Sequence, residues 1–243
     1  MRILVWQWGR FGSGPRFAAM LADGLRAASN ATTLLSLSSR AEVLAGAMAP
    51  RCDLVVDTHA SILGFVTRFL LAPVLAWRLV GRLRTLAPDL AICAHPGPLD
   101  LVMALAARRL GIPFVVIVHD ADAHPGDGYP FLMALQRNLC RRAGWVAALT
   151  GHVAARLEEQ GLTGVGNRKL IRIFMPPMRF GTASPRAADG TTRLLFFGRL
   201  LPYKGLDLLD EALEVLGSQP GLAVRIVGSG PEAPILTRLR AHP

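Results

Sequence analysis

The sequence predicts an α/β protein built on a parallel β-sheet covered by helices on both faces. Three observations predict it. Short runs dense in Val, Ile, Leu and Phe recur along the chain, continuous rather than alternating, as strands buried on both faces require. Helix-periodic segments separate these runs, which is the spacing of βαβ units rather than hairpins. The apolar fraction of 51% in 243 residues supplies enough material for a sizeable core.

Taken in order, residues 3–6 read as the first strand, followed by a glycine turn and a helix over 15–28. Short strands follow at 33–37 and 54–56. Residues 61–86 form a long apolar, basic segment, expected as a helix kinked at Pro73. A strand at 90–94, a helix at 99–110 and a strand at 114–118 come next. A polar loop runs to Gly128 and a helix to Arg142. A strand at 145–149, a helix to Gln160 and a strand at 170–174 complete a first domain over 1–176. Met175-Pro176-Pro177 and the Gly/Ala/Ser/Pro stretch to Gly190 read as a linker over 177–190. A second series then restarts over 191–243, with a strand at 194–197, a helix opened by Gly205, a strand at 222–227 and a last helix near 231–240.

Lys and Arg number 27 against 17 Asp and Glu, a net charge of +10. Such an excess attracts phosphorylated substrates, anionic lipid or nucleic acid without choosing among them. Residues 61–86 contain no acidic residue, but hold Arg68, Arg78, Arg82 and Arg84 among Phe65, Phe69 and Trp77. On one helix, Arg68, Arg78 and Arg82 would share an arc of roughly 80°. That pattern suits a core-packed helix with solvated arginines and an anionic membrane surface equally. Nucleic acid is not an expected partner, because the aromatics are interleaved with aliphatics rather than grouped as a stacking platform. Cys52, Cys93 and Cys140 form no Cys-x-x-Cys pair and read as small buried hydrophobes in a reducing compartment. The start of the chain is broken up by Gln7, Gly9 and Arg10, unlike a signal peptide. No charge-free stretch reaches the roughly 18–20 residues of a spanning helix. The expected location is the cytoplasm, with 61–86 as the candidate contact to the inner face of the membrane.

The most informative segment for function is Gly198-Arg199-Leu200-Leu201-Pro202-Tyr203-Lys204-Gly205. It ends one apolar strand and opens a helix whose Leu206, Leu209, Leu213 and Leu216 share a face. Arg199 and Lys204 thus stand at a strand's carboxyl end and a helix N-terminus, where backbone N–H groups and the helix dipole favour an anion. An Arg fork with a Lys point charge suits a diphosphate better than a single carboxylate.

This block resembles the donor-domain signature of glycosyltransferase family 4, retaining enzymes of the GT-B fold. Val224-Arg225-Ile226-Val227-Gly228-Ser229-Gly230-Pro231-Glu232 resembles that family's next strand and glycine turn. The resemblance implies a Rossmann-like acceptor-side domain over 1–176 and part of a nucleotide-sugar donor domain over 191–243. It implies donor contacts from Arg199, Lys204 and Gly230. The co-substrate would be a nucleotide-diphospho-sugar with no further cofactor, and the acceptor a saccharide or a lipid-linked molecule. Family members continue with further strands and a Glu-x7-Glu pair; no two glutamates here have that spacing, so the chain is expected to be truncated and inactive by itself.

Gly12-Ser13-Gly14 follows the first strand and opens a helix. The turn is not a dinucleotide fingerprint, since Gly9, Gly12 and Gly14 give the reverse spacing. The resemblance implies that it is the family's glycine-rich loop beside the donor. His119 ends the strand at 114–118, where open α/β sheets bind ligands. The resemblance implies that His119 orients the donor sugar or stabilises charge at the reaction centre; the alternative is a core histidine bonded to backbone. His95-Pro96-Gly97-Pro98 reads as a rigid strand-to-helix turn that could border the acceptor. His59 and His152 carry no motif. Two other classes remain open. One is a non-catalytic anion-binding or membrane-associated module. The other is a metal-dependent hydrolase using His119, Asp120, Asp122 and His124, although the resemblance implies no metal, because basic side chains neutralise the leaving diphosphate.

Overall fold

The computed structural model describes residues 1–124, 130–163, 169–178, 189–230 and 234–242. Its backbone forms two compact units, one of Met1–Asp122 and Pro130–Arg179, the other of Ala123–Tyr129 and Phe180–Pro243. The expected linker over 177–190 falls mostly outside the described residues, as do Pro231 and Glu232.

The first unit runs β1 (Arg2–Gln7), α1 (Ser13–Ala28), β2 (Thr32–Ser38), β3 (Leu54–Val56), α2 (Ile62–Leu70), α3 (Ala72–Leu86), β4 (Leu90–Cys93), α4 (Asp100–Arg109), β5 (Phe114–Val118), α5 (Pro130–Arg142), β6 (Trp145–Ala148), α6 (Gly151–Glu159) and β7 (Leu170–Arg172). The seven strands form one sheet in the order β3-β2-β1-β4-β5-β6-β7. Every pairing is parallel, with Ile3 opposite both Thr33 and Leu90. The chain winds outward from β1 through β2 to β3, then returns to β4 beside β1. That reversal opens a crevice at the carboxyl ends of β1 and β4, where such sheets bind ligands.

Alternation along β1 explains the two-sided core. Leu4 and Trp6 face a cluster with α3, α4, α5 and α6, while Ile3 and Val5 face one with α1. All four are within 4% of complete burial. Burying a side chain of this kind contributes roughly 1.5–3 kcal/mol. Cys93 and Cys140 are buried, Cys52 is half-buried, and all three are free thiols.

The segment 61–86 departs from the expected single kinked helix. The break falls at Leu71, not Pro73, and the axes of α2 and α3 differ by 74°. Pro73 sits in the first turn of α3, where its missing N–H has no helical partner to lose. Pro73 therefore starts a helix rather than kinking one, and the arc computed for Arg68 with Arg78 and Arg82 does not exist, because Arg68 lies on a different helix.

The second unit contains β8 (Thr192–Arg199), α7 (Leu206–Leu216), β9 (Leu222–Ser229) and α8 (Pro234–Ala241). β8 and β9 pair in parallel from Thr192 opposite Leu222 to Arg199 opposite Ser229. Leu200, Leu206 and Ile235 form a small core with Phe196, Leu209 and Ile226. Leu195 and Phe197 remain 61% and 77% exposed on the strand.

Candidate active site

In the first unit the predicted residues converge on the carboxyl edge of the sheet. Gly12 caps α1 with φ 84° and ψ −158°, a conformation that strains any side chain. Its N–H donates to Glu42 Oε1 at 3.0 Å. Ser13 is exposed at the first position of α1, and Gly14 is buried behind it. Beneath the loop lies a residue that the motif reading missed. Gln7, 3% exposed at the end of β1, accepts from the Gly9 N–H through Oε1 at 3.0 Å. A Cβ on Gly14 would stand 2.8 Å from Gln7 Nε2, and one on Gly9 2.6 Å. The glycines let the loop close over this amide. A lone Gln on an otherwise apolar buried strand was the available signal, because a buried amide needs a partner.

His119 leaves the end of β5 half-buried, its ring edge-on to Phe17 at 5.0 Å between centroids. Its Nε2 lies 3.0 Å from the Ala94 carbonyl oxygen. A carbonyl only accepts, so Nε2 carries the proton and a neutral His119 keeps Nδ1 as an acceptor. Burial holds its pKa below the ordinary histidine value, against the bond to Ala94 and the charge of Asp120. His95 packs against it at 4.3 Å between ring centroids. Burial, and then the neighbouring His119, depresses His95 to about 3. The two rings are therefore a neutral pair at physiological pH. The structure thus promotes His95 from a turn residue to a neighbour of the sugar-orienting candidate.

The turn carrying His95 is braced by Asp100, the first residue of α4. Asp100 is 1% exposed and accepts through Oδ2 from the Gly97 N–H at 2.6 Å and the Cys93 thiol at 3.3 Å. Burial raises its pKa to about 7, with those two hydrogen bonds pulling the other way.

Asp122, offered by the sequence as a metal ligand, is instead paired with Arg156, whose Nε donates at 2.7 Å. That guanidinium holds the Asp122 carboxyl below its usual range. Among the described residues, no group of three or more His, Cys, Asp and Glu side chains is arranged to hold a metal ion. His59 contacts Phe65 at 5.3 Å, and its pKa is depressed by burial and then by Arg10.

In the second unit, Arg199 ends β8 and Lys204 closes a short 3-10 turn of Pro202–Lys204 ahead of α7. Both are exposed. Gly205 is the N-cap of α7 in the left-handed region at φ 82°, and the helix starts at Leu206, two residues past Lys204. Lys204 Nζ stands 4.7 Å from the Tyr203 ring centroid, and the His124 ring stacks on Tyr203 at 4.7 Å between centroids with 10° between planes. The β9 turn approaches the β8 turn closely. A Cβ on Gly228 would meet the Gly198 carbonyl oxygen at 1.8 Å, and one on Gly230 would meet the Leu200 carbonyl oxygen at 2.4 Å. The glycines of the second motif are therefore required by packing between the two strand ends. The arrangement places one cation at the end of β8 and a second just ahead of the first turn of α7, a helix end that favours an anion.

A Rossmann-like unit with a switch-point crevice, followed by a second α/β unit with a cationic strand-to-helix turn, defines a protein of the GT-B fold class. The sequence model of Glycosyltransferase Family 4 matches residues 14–170, and the chain belongs to that family. No curated protein matches the chain. Among solved structures it is similar to Anabaena HepE in complex with UDP and glucose, at 21% identity and TM-score 0.66, covering 99% of this chain and 65% of that one. The lipopolysaccharide outer core galactosyltransferase WaaB gives 14% identity and TM-score 0.62, covering 99% of this chain and 64% of that one. UDP-GlcNAc 2-epimerase from Neisseria meningitidis, bound to UDP-GlcNAc, gives 13% identity and TM-score 0.61, covering 98% and 75%. The chain thus spans about two thirds to three quarters of the length of these structures. At these identities the likeness shows the fold.

Proposed function

We propose that this protein is a retaining glycosyltransferase that moves a sugar from a nucleoside-diphosphate sugar to a saccharide or lipid-linked acceptor. The observation that carries the reading is the β8–turn–α7 unit, with Arg199 at the strand's end and Lys204 just ahead of the helix, in a chain of family 4. The same fold serves an epimerase, and the family match favours transfer over epimerisation. Arg199 and Lys204 hold the donor diphosphate and stabilise the negative charge that gathers on it as the glycosidic bond to phosphate breaks. No metal or organic cofactor enters this scheme. Ser13 and Gly14 bring backbone N–H groups to the donor, Gly12, its own N–H held by Glu42, gives the loop the turn that lets the donor approach, and Gly230 keeps the β9 turn tight. His119 accepts a sugar hydroxyl at Nδ1 and so fixes the sugar's orientation; being neutral, it adds no charge to the reacting centre. The cytoplasm, where nucleotide-sugars and reduced cysteines coexist, is the proposed site of action.

The test is saturation-transfer NMR of the 243-residue chain with a panel of nucleotide-sugars. At least one donor should show enhanced ribose and sugar signals that vanish in Arg199→Ala/Lys204→Ala. A panel with no enhanced member, or enhancement untouched by the double substitution, overturns the assignment.

A further inference from the structure

The elbow formed by α2 and α3 presents an apolar surface that none of the described residues of the first unit covers. On α2, Ile62, Leu63, Val66 and Leu70 are 84%, 76%, 45% and 74% exposed. At ~100° per residue these four fall within an arc of about 100°. The opposite side of α2 is occupied: Phe65 and Phe69 pack edge-on against Phe131 of α5 at 6.4 and 5.6 Å. The helix is thus pinned by its aromatic face and turns its aliphatic face outward. Among its described residues none is buried. α3 continues the surface through Leu71, Val74 and Trp77, which are 46%, 46% and 69% exposed. Its other side carries Ala76, Leu79, Val80 and Leu83 into the core. Isolated exposed apolar residues are ordinary, but a contiguous set of this size marks an interaction surface.

The flanking charge identifies the partner. Residues 61–86 contain no Asp or Glu, and Arg78 and Arg84 lie about 60° either side of the outward centre line of α3. Arginines beside aliphatic residues and a Trp form the composition that settles at an anionic lipid interface. A protein partner would face arginines without acceptors on the same helix, whereas phosphodiester headgroups supply them continuously. Among the described residues no single helix is long and apolar enough to cross a bilayer; α2 and α3 reach that length and composition only as a pair bent by 74°. The inner face of α3, through Ala76, Leu79, Val80 and Leu83, is committed to the core, which favours a surface position over a span.

We infer that the α2–α3 elbow lies flat on an anionic lipid bilayer, with Ile62, Leu63, Val66, Leu70 and Trp77 in the headgroup–acyl boundary and Arg78 and Arg84 on lipid phosphates. The elbow begins at the carboxyl edge of the sheet, where the Arg10 guanidinium donates to the Ala60 carbonyl at 2.9 Å ahead of α2. Lipid contact therefore brings the glycine loop and His119 side of this unit toward the bilayer. The inference stands whether or not the protein transfers sugars.

The test is sedimentation of the 243-residue chain with phosphatidylcholine vesicles, with and without phosphatidylglycerol. Wild type should partition at least tenfold more strongly onto the anionic vesicles, less so in high salt. Arg78→Gln/Arg84→Gln should weaken partitioning about fivefold per arginine. Leu63→Ser/Leu70→Ser/Trp77→Ser should abolish it while circular dichroism and the thermal midpoint stay unchanged. Should the triple variant fold poorly, quenching of wild-type fluorescence by brominated lipid, absent in Trp77→Phe, reads the same contact. Equal binding to both vesicles, or binding unaffected by either set, overturns the inference. So does a solution dimer that the triple variant dissociates with no lipid binding by wild type, which would make the patch a self-association surface.

Discussion

Replacing Asp100 with Asn isolates one buried ionisation beneath the candidate site. The carboxyl titrates near 7 in the folded chain against a usual 3.8, because burial disfavours its charge. A group with a raised pKa binds more protons folded than unfolded between those values, so stability falls as pH rises through the window. The shift corresponds to about 4 kcal/mol lost from pH 4 to pH 7, at about 1.4 kcal/mol per unit. His95 acts with the opposite sign. Its folded pKa lies near 3 against 6.5, so the unfolded chain binds the extra proton and stability rises over that window. His119 and His59, also depressed by burial, add to the rise, so Asp100 opposes the histidines in the wild type. Asp100→Asn removes only the acid's slope, and the Asn carbonyl can still accept from the Gly97 N–H now at 2.6 Å from Oδ2. The variant should therefore gain on wild type steadily with pH up to 7 and hold a constant advantage above it. Urea denaturation at half-unit pH steps reads the difference directly. Parallel stability profiles for variant and wild type would refute the assignment of a buried, protonated Asp100.

Gly228→Ala drives a Cβ into the Gly198 carbonyl oxygen at 1.8 Å, where no side chain can move aside. It should destabilise the β8–β9 pair by about 3 kcal/mol or more, read as faster amide exchange over residues 192–229. Gly14→Ala meets Gln7 Nε2 at 2.8 Å and Cδ at 3.1 Å, displacing the amide that receives the Gly9 N–H. A loss of about 1–2 kcal/mol in chemical denaturation is expected, together with weaker donor binding. Lys204→Ala alone should reduce nucleoside-diphosphate affinity by about tenfold, the worth of one charge-assisted contact, with unfolding unchanged because Lys204 is exposed.

The legible parts of the fold were the short apolar runs bounded by polar and turn residues. β3 and β5 stand where their runs placed them, at 54–56 and 114–118, although only β5 is an interior strand and Val55 of the edge strand β3 is 40% exposed. The elbow at Leu71 was not legible. An apolar periodicity continues across 61–86, and Pro73 reads equally as a kink or as a start; the contacts of Phe65 and Phe69 with Phe131 and the Arg68–Asp57 ion pair that hold α2 at its angle are not in the pattern. Among the candidate residues, Arg199, Lys204, His119 and the glycine loop could be named from their positions at strand ends, and His95 as part of a turn that could border the acceptor. Gln7, Asp100 and the pairing of His95 with His119 were not legible, because they depend on contacts formed in the fold: Gln7 with the loop, the His95 ring with His119, and Asp100 with Cys93 of β4.

The central claim is that Arg199 and Lys204 form a diphosphate cradle. Calorimetric titration of the 243-residue chain with UDP and UMP side by side tests it most directly. The account predicts that the β-phosphate tightens binding by about 1.5–3 kcal/mol, roughly ten- to hundredfold, and that Arg199→Ala/Lys204→Ala erases the difference. Equal affinity for UDP and UMP in the wild type would contradict it.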